Sequence, residues 1–329
     1  MQKRINVVYS VSSTILYNQL VGISIFSLLK NNSHLDEINI YIFESGIDSN
    51  EKEKINQEVR EYGRNIYYID VRPMLKDIEA LNIPIYKGSY QLYIKYFIAR
   101  YLPDEVESFL YLDADTIIDK RLDLLLQEFD NRKESTVVLA GSGILQGEYR
   151  KEIGIGYNNH SICVGVMFFD RVRWEKMQCL ERFLIFIKEH ELSNYRQLDE
   201  DAFNIAFRDM IEVASLKSIM FPCLMKIKPK YILRAYDFSE RSFFDENQIE
   251  NVQKEGAVIY HFIDLLGKPW EKYCVDPLKQ MWLNYMRESL WNNLKIERNK
   301  SETVSHIFAK ISYCVSKRLY SYLIRILKK

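Results

Sequence analysis

Two carboxylates, Asp113 and Asp115, follow directly on the apolar run Phe109-Leu110-Tyr111-Leu112. Such a run reads as a strand buried on both faces, and ligands of open α/β sheets gather beyond the carboxyl ends of such strands. Acids placed there are costly to desolvate unless a cation or hydrogen-bond donors meet them. The pair therefore points to a divalent-metal site holding a phosphorylated substrate. Asp-x-Asp is also common in ordinary turns, so its meaning depends on what can join it. Leu198-Asp199-Glu200-Asp201 puts three acids at the start of an apolar-periodic helix, where the helix dipole alone would favour them. His261 stands in the apolar run Val258 to Ile263, and Lys268 follows it; a lone histidine in such a strand is more often structural. Taken together, Asp113, Asp115 and His261 would make an octahedral, oxygen-rich site suited to Mn²⁺ or Mg²⁺, with diphosphate oxygens completing the shell. Lys268 would add a point charge to the same phosphates.

These residues need a scaffold, and the chain alternates strand and helix from its start. Strands are expected at Ile5–Ser10, Ile38–Phe43 and Asn65–Val71, with helices at Tyr17–Leu29 and at Ser49–Tyr62, the latter capped by Ser49 or Asn50. Alternation of this kind implies parallel strands with right-handed crossovers. A helix over Ser89–Tyr101 leads into the carboxylate-bearing strand. Thr136–Ala140 and Ser161–Asp170 are further strands, and a mid-strand glycine such as Gly165 often marks the close approach of a ligand or backbone. A helix is expected over Arg171–His190 and another over Asp276–Leu294, followed by a polar hinge at Lys295–Glu302. No GxGxxG follows the first strand, so a dinucleotide fingerprint is absent. Hydroxyls and backbone groups of Ser10-Val11-Ser12-Ser13-Thr14 remain candidates for holding a nucleotide, as ordinary turn chemistry does for explaining them.

Composition narrows the classes. The 329 residues are 47% hydrophobic and 27% charged, with 45 basic residues balancing 45 acidic ones, so no global field argues for nucleic acid. Five scattered cysteines without a CxxC pair exclude a disulfide framework or thiolate zinc site and suit a reducing cytoplasm. The first apolar run is too short for a signal peptide or membrane span, and nothing elsewhere is long enough to cross a bilayer.

The segment Thr303–Lys329 differs from the rest. Val304, Ile307, Phe308, Ile311, Val315, Leu319, Tyr322, Leu323, Ile326 and Leu327 fall on one side at helical spacing, while Lys310, Lys317, Arg318, Arg325, Lys328 and Lys329 supply the charge. A basic amphipathic helix of this kind fits an anionic membrane interface; a terminal helix docked on the core is the plainer alternative. The expected organisation is a main α/β domain at 1–275 that carries the acids and His261, a helical extension and hinge at 276–302, and a membrane-association helix at 303–329.

The set, in this order, resembles the family-eight retaining glycosyltransferases, which include bacterial lipopolysaccharide galactosyl- and glucosyltransferases and glycogenin. The likeness covers about residues 5 to 270. Tyr111-Leu112-Asp113-Ala114-Asp115 is similar to the family's metal-binding motif, and Tyr93-Ile94-Lys95 to its Tyr-x-Arg. Gly165-Val166 with Phe169-Asp170 and Trp174 is similar to its Asn-Ala-Gly strand and the helix after it, with Cys163 at the usual Asn. Leu198-Asp199-Glu200-Asp201 with Asn204 corresponds to its Asp-Gln-Asp segment, and His261 with Lys268-Pro269-Trp270 to its terminal motif. The resemblance implies a mixed, mainly parallel α/β fold with Rossmann-like nucleotide-binding topology (glycosyltransferase A type) and a helical C-terminal tail. It further implies a UDP-hexose donor, a carbohydrate or glycoconjugate acceptor and transfer with retained anomeric configuration. It assigns Asp113, Asp115 and His261 to the metal, and Ser10, Ser12, Lys95, Asp113, Ala114, Cys163, Gly165, Asp199 and Lys268 to the donor. Glu200 and Asp199 fall beside the reacting carbon. The family's Asp-Asp after the first strand is replaced here by Ser12-Ser13, and Lys95 lacks the bidentate fork of Arg. Two other readings stay open: a non-catalytic sugar-nucleotide-binding partner of another transferase, and an Asp-x-Asp phosphohydrolase. The expected location is the cytoplasm, peripheral at the inner face of the cell membrane; the sequence leaves room for a homo-oligomer.

Overall fold

The computed structural model describes residues 4–83, 85, 90–156, 158–191, 194–239, 241–263, 265–299 and 302–327. The strands are β1 (Arg4–Val11), β2 (Glu37–Glu44), β3 (Asn65–Asp70), β4 (Ser108–Leu112), β5 (Thr116–Ile118), β6 (Val138–Ser142), β7 (Ile162–Asp170), β8 (Ile211–Val213), β9 (Ile219–Met220) and β10 (Ile259–His261). The first helices are α1 (Ile15–Asn31), α2 (Ser49–Glu61), α3 (Arg72–Ala80), α4 (Ile94–Tyr101), α5 (Asp123–Asp130), α6 (Gly147–Glu152) and α7 (Arg171–Lys176). They are followed by α8 (Cys179–Glu189), α9 (Leu198–Ala206), α10 (Pro229–Ala235), α11 (Glu246–Glu255), α12 (Lys279–Glu288), α13 (Val304–Val315) and α14 (Lys317–Leu327).

Seven strands form the main sheet in the order β3-β2-β1-β4-β7-β6-β8. Its first half is the expected parallel wing, β1 pairing in parallel with both β2 and β4. β7 is the exception: it runs antiparallel to both β4 and β6, so the sheet is mixed. All nine β7 residues are buried, and a strand covered on both faces carries no alternation that would betray its direction. A second, three-stranded sheet has the order β5-β10-β9.

Several boundaries depart from the sequence expectations. The cap of α2 is Asp48, whose carboxylate accepts from the Asn50 and Glu51 N–H groups, rather than Ser49 or Asn50. The helix expected over Arg171–His190 breaks at Gln178, which takes a left-handed φ of 52°. The helix expected over Asp276–Leu294 is confined to Lys279–Glu288. Ser89, the expected start of the helix leading to β4, lies outside the described residues; a short 3₁₀ turn at Gln91–Tyr93 precedes α4.

The tail is two helices rather than one, parted at Ser316, whose backbone is extended (φ −159°, ψ 123°). It docks by Ala309, Tyr313, Tyr320 and Ile324, which belong to the same core as β1, α1 and α12. That core also joins distant parts of the chain. A Cβ on Gly22 of α1 would collide with the ring of Trp291, and Trp291 Nε1 donates to Glu51 Oε2 at 2.5 Å.

Candidate active site

Register brings the acids and the histidine together. The β1–β4 ladder ends with Tyr9 opposite Leu112, so Ser10 comes next to Asp113 at the carboxyl rim. The Asp113 N–H donates to Gly165 O at 2.8 Å, which fastens the rim to β7. The chain then turns back as β5, and β10 pairs antiparallel with it so that His261 faces Thr116. The Phe262 N–H donates to Asp115 O at 2.9 Å, closing that junction. The outcome is one ligand atom each from Asp113, Asp115 and His261, all within 4.8 Å of one another.

The donor set passes the test for a hard divalent ion. His261 Nε2 lies 3.1 Å from Asp115 Oδ1 and 3.9 Å from Asp113 Oδ2. Neighbouring ligands in a shell with radii near those of Mg²⁺ are about 3 Å apart, so small side-chain adjustments suffice. The two carboxylate oxygens suit Mn²⁺ or Mg²⁺, and the imidazole adds a nitrogen donor of the kind that transition-metal ions take. Gly165 makes the arrangement sterically allowable: a Cβ there would overlap the His261 ring. The close approach that the mid-strand glycine signalled is thus that of an imidazole.

Each ligand is braced. Tyr111 Oη donates to Asp113 Oδ1 at 2.8 Å, and Thr116 Oγ1 donates to Asp113 O at 2.8 Å. Lys268 Nζ lies 2.6 Å from Asp115 Oδ2. His261 Nδ1 meets Cys163 Sγ at 3.5 Å. A thiol both donates and accepts, so Cys163 can satisfy Nδ1 in either imidazole tautomer. Burial and the Glu200 carboxyl push the Cys163 thiol well above its ordinary pKa, keeping it protonated.

Next to the metal-type cluster lies a cleft of about 440 Å³, lined among others by Gln91, Lys95, Asp113, Cys163, Gly165, Gln197, Asp199, Glu200 and His261. Lys95 Nζ sits 3.4 Å from Asp199 Oδ2 and 3.5 Å from Asp113 Oδ1. Burial works against its charge, but Asp113, Tyr111 and Asp199 hold it well above the ordinary lysine range. The acids arrive on the first turn of α9. Tyr96 Oη donates to Asp199 O at 2.7 Å, and the Tyr96 ring stacks between Phe183 and Phe203. Asn204 clamps α9 to β7 by accepting from the Ile162 N–H at 2.8 Å and donating to Ile162 O at 3.1 Å. Burial, then Asp199 and Asp201, push the Glu200 carboxyl up to about 8.

The sequence-predicted residues divide. Lys95, Asp113, Asp115, Cys163, Gly165, Asp199, Glu200, His261 and Lys268 converge, with Ala114 half-buried between the two metal-type carboxylates. Ser10 reaches the rim, whereas Ser12 turns to local work, its Oγ accepting from the Thr14 N–H at 3.4 Å and its carbonyl from Asn18 Nδ2 at 2.8 Å. Asp201 is structural: Tyr149 Oη donates to its Oδ2 at 2.5 Å and the Gln197 N–H at 3.0 Å. Asp119 lies outside the site and accepts from Tyr285 Oη at 2.8 Å. Gln91 and Gln197 carried no sequence signal beyond polarity, and the Tyr111 hydroxyl was hidden inside an apolar strand.

A family model described as glycosyl transferase family 8 matches residues 7–274. The chain belongs to that family. Among curated relatives, this family 8 chain is 23% identical over 282 residues to general stress protein A of Bacillus subtilis (strain 168), covering 84% of this chain and 92% of that one. It is 24% identical over 297 residues to a lipopolysaccharide 1,2-glucosyltransferase of Escherichia coli, covering 88% of this chain and 81% of that one. Among solved structures it is similar to galactosyltransferase LgtC in complex with donor and acceptor sugar analogues, with a TM-score of 0.66 at 17% identity over 87% of this chain and 96% of that one. The fold is that of the glycosyltransferase A type: a mixed, mostly parallel sheet with a helical C-terminal end.

Proposed function

We propose that this family 8 glycosyltransferase is a metal-dependent, retaining hexosyltransferase. It moves galactose or glucose from a UDP-sugar to a glycan, glycolipid or glycoprotein acceptor in the synthesis of cell-surface polysaccharide or other glycoconjugates. The observation that carries the reading is the meeting of Asp113, Asp115 and His261 within 4.8 Å at the edge of a cleft also lined by Lys95, Asp199 and Glu200. Asp113, Asp115 and His261 would hold Mn²⁺ or Mg²⁺, which would supply Lewis-acid charge against the departing diphosphate. Lys268 adds a second cation to the same oxygens. Ser10, Ala114, Cys163 and Gly165 line the donor's path, with Lys95 holding Asp199 toward the sugar, while Ser12 shapes the loop that follows Ser10. Glu200 stabilises positive charge at the reacting carbon through the dipole of its carboxyl group, which keeps its proton near neutral pH, as the sugar–phosphate bond loosens. The acceptor hydroxyl attacks from the face that the diphosphate leaves, so a leaving phosphate oxygen can take its proton and no separate base is required.

The test is a panel of UDP-sugars assayed with Mn²⁺, with EDTA, and with candidate oligosaccharide or lipid-linked acceptors. Mn²⁺-dependent hexosyl transfer with retained configuration is the expected result. UDP-sugar binding without metal-dependent turnover would point to a non-catalytic binder, and phosphate release without acceptor to a phosphohydrolase. Glu200→Gln is expected to keep most activity, which is incompatible with a covalent role.

The reading extends to location: peripheral at the inner face of the cell membrane. The tail docks by its less apolar side. Val304, Phe308, Ile311, Val315 and Ile326 remain more than half exposed, while Lys310 is buried and paired with Glu302. Arg325 lies 3.7 Å from Asp237, and Lys328 and Lys329 lie outside the described residues. The exposed apolar side chains therefore join the tail's basic residues, Arg318 among them exposed, in the attraction to a bilayer. No described helix is long and apolar enough to cross one. Liposome co-sedimentation that is unaffected by Phe308→Ser with Ile311→Ser would remove this part of the proposal.

A further inference from the structure

The loop carrying Lys268 is gripped by the tail. Gly267 takes φ +81°, and a Cβ on it would lie 2.6 Å from Lys310 Nζ and 3.0 Å from Glu271 Oε2. α13 thus presses an ammonium against the backbone immediately before Lys268. Lys310 is buried, with its Nζ 2.5 Å from Glu302 Oε1 and 3.9 Å from Glu271 Oε2. That same Glu271 oxygen accepts the Lys268 N–H at 3.0 Å, and Oε1 accepts Asn299 Nδ2 at 2.8 Å. Cys274 Sγ donates to Gly267 O at 3.1 Å, and Lys279 Nζ to Glu271 O at 3.0 Å. At its working end, Lys268 Nζ lies 2.6 Å from Asp115 Oδ2.

We propose that Lys310 is a positioning residue for donor binding: through Glu271 it fixes the Gly267–Glu271 loop so that the Lys268 ammonium faces the leaving diphosphate. The proposal rests on reading Lys268 as a diphosphate-facing cation. A terminal helix that merely docks needs no buried charge, because Ala309, Tyr313, Tyr320 and Ile324 already supply an apolar seam. A buried ammonium is costly and persists only where partners compensate it. Its partners here are a carboxylate at the tail hinge and the carboxylate that organises the Lys268 turn. Removing the ammonium takes away the cation that Glu302 and Glu271 share, and loosens the Glu271 carboxylate that accepts the Lys268 N–H. The tail is in this respect part of the donor site.

The experiment uses the full chain with UDP and Mn²⁺ as the probe. UDP affinity by calorimetry, donor KM and kcat, and thermal melting are compared for wild type, Lys310→Met, Lys310→Arg, Lys310→Met with Glu302→Gln, and Phe308→Ser. The expected result is a UDP Kd and donor KM raised about tenfold in Lys310→Met, with kcat within about threefold of wild type. Arginine restores most of the affinity, because the guanidinium keeps the charge. The double variant, which removes the surplus negative charge, melts near wild type and still binds UDP weakly. Phe308→Ser, on the exposed face of the same helix, leaves UDP affinity unchanged. A double variant that folds and binds UDP as wild type does would overturn the proposal, as would an equal loss in Phe308→Ser. A wild-type protein that binds no UDP with Mn²⁺ would overturn the diphosphate reading of Lys268 and this proposal with it.

Discussion

Lys268 Nζ lies 2.6 Å from Asp115 Oδ2, on the carboxylate whose other oxygen faces His261 Nε2 at 3.1 Å. Burial opposes ionisation of Asp115, yet Lys268 and His261 hold its carboxyl well below the usual carboxylate range. The ammonium and the proposed divalent ion would therefore share one anion, and a donor diphosphate would give the ammonium a second anion to face. Lys268→Met is expected to bind Mn²⁺ alone at least as tightly as wild type, while its donor KM rises about tenfold or more, roughly 1.4 kcal/mol. Mn²⁺ titration by electron paramagnetic resonance beside donor kinetics checks both halves. Weakened binding of Mn²⁺ alone would show that Lys268 supports the metal ligands instead of competing with them.

Gly165→Ala places a methyl group where the His261 ring now lies. Overpacking of a buried site costs about 1–3 kcal/mol, which a core of this size can absorb, but the imidazole must move. Mn²⁺ affinity is expected to fall about a hundredfold in a protein that still melts cooperatively. Retained affinity would mean that the ring does not hold the ion.

Cys163 is the other neighbour of that ring, 3.5 Å from Nδ1. Loss of such an outer partner typically costs a metal site about 10–100-fold in affinity or activity. Cys163→Val is expected to lose that much Mn²⁺ affinity, and Cys163→Ser considerably less, because a hydroxyl also donates and accepts. Equal affinities for Val and Ser would leave Cys163 a packing residue only.

Glu200 has a folded-state pKa of about 8 against an ordinary 4.5, with burial the first cause. The sign follows from linkage. Between those two values the folded chain keeps a proton that the unfolded chain has lost, so stability declines as pH rises through this window. The slope contributed is at most about 1.4 kcal/mol per pH unit. With metal chelated, Glu200→Gln is expected to match wild type near pH 5 and to exceed it in melting temperature at pH 8.5. A pH-independent difference between the two proteins would contradict the raised pKa.

The carboxylate-bearing strand was readable because residues buried on both faces form an unbroken apolar run ending in two acids. The same burial concealed the direction of β7, since no alternation distinguishes a parallel from an antiparallel neighbour. Helix breaks escaped for a related reason: one left-handed residue, Gln178, or one extended residue, Ser316, reorients a helix without disturbing the apolar spacing. Asp113, Asp115 and His261 were legible as a set of types and order, and the β5–β10 register supplies their meeting. Links between remote segments, such as Lys310 to Glu271 or Cys163 to His261, have no local signature. The tail was the subtlest case. Its apolar stripe was visible, but a stripe does not say which way it points, and here the docked side is the other one.

The Trp291 ring filling the space beside Gly22 has a consequence for synthesis. Helix α1 emerges early from the ribosome, and its surface at Gly22 is covered by an indole encoded near the other end of the chain. At translation rates of about 5–20 residues per second, that surface waits roughly tens of seconds for its cover. A newborn chain is therefore a natural client for hydrophobic-binding chaperones, and a ribosome stalled before Trp291 would hold a sheet that is already paired but not yet sealed.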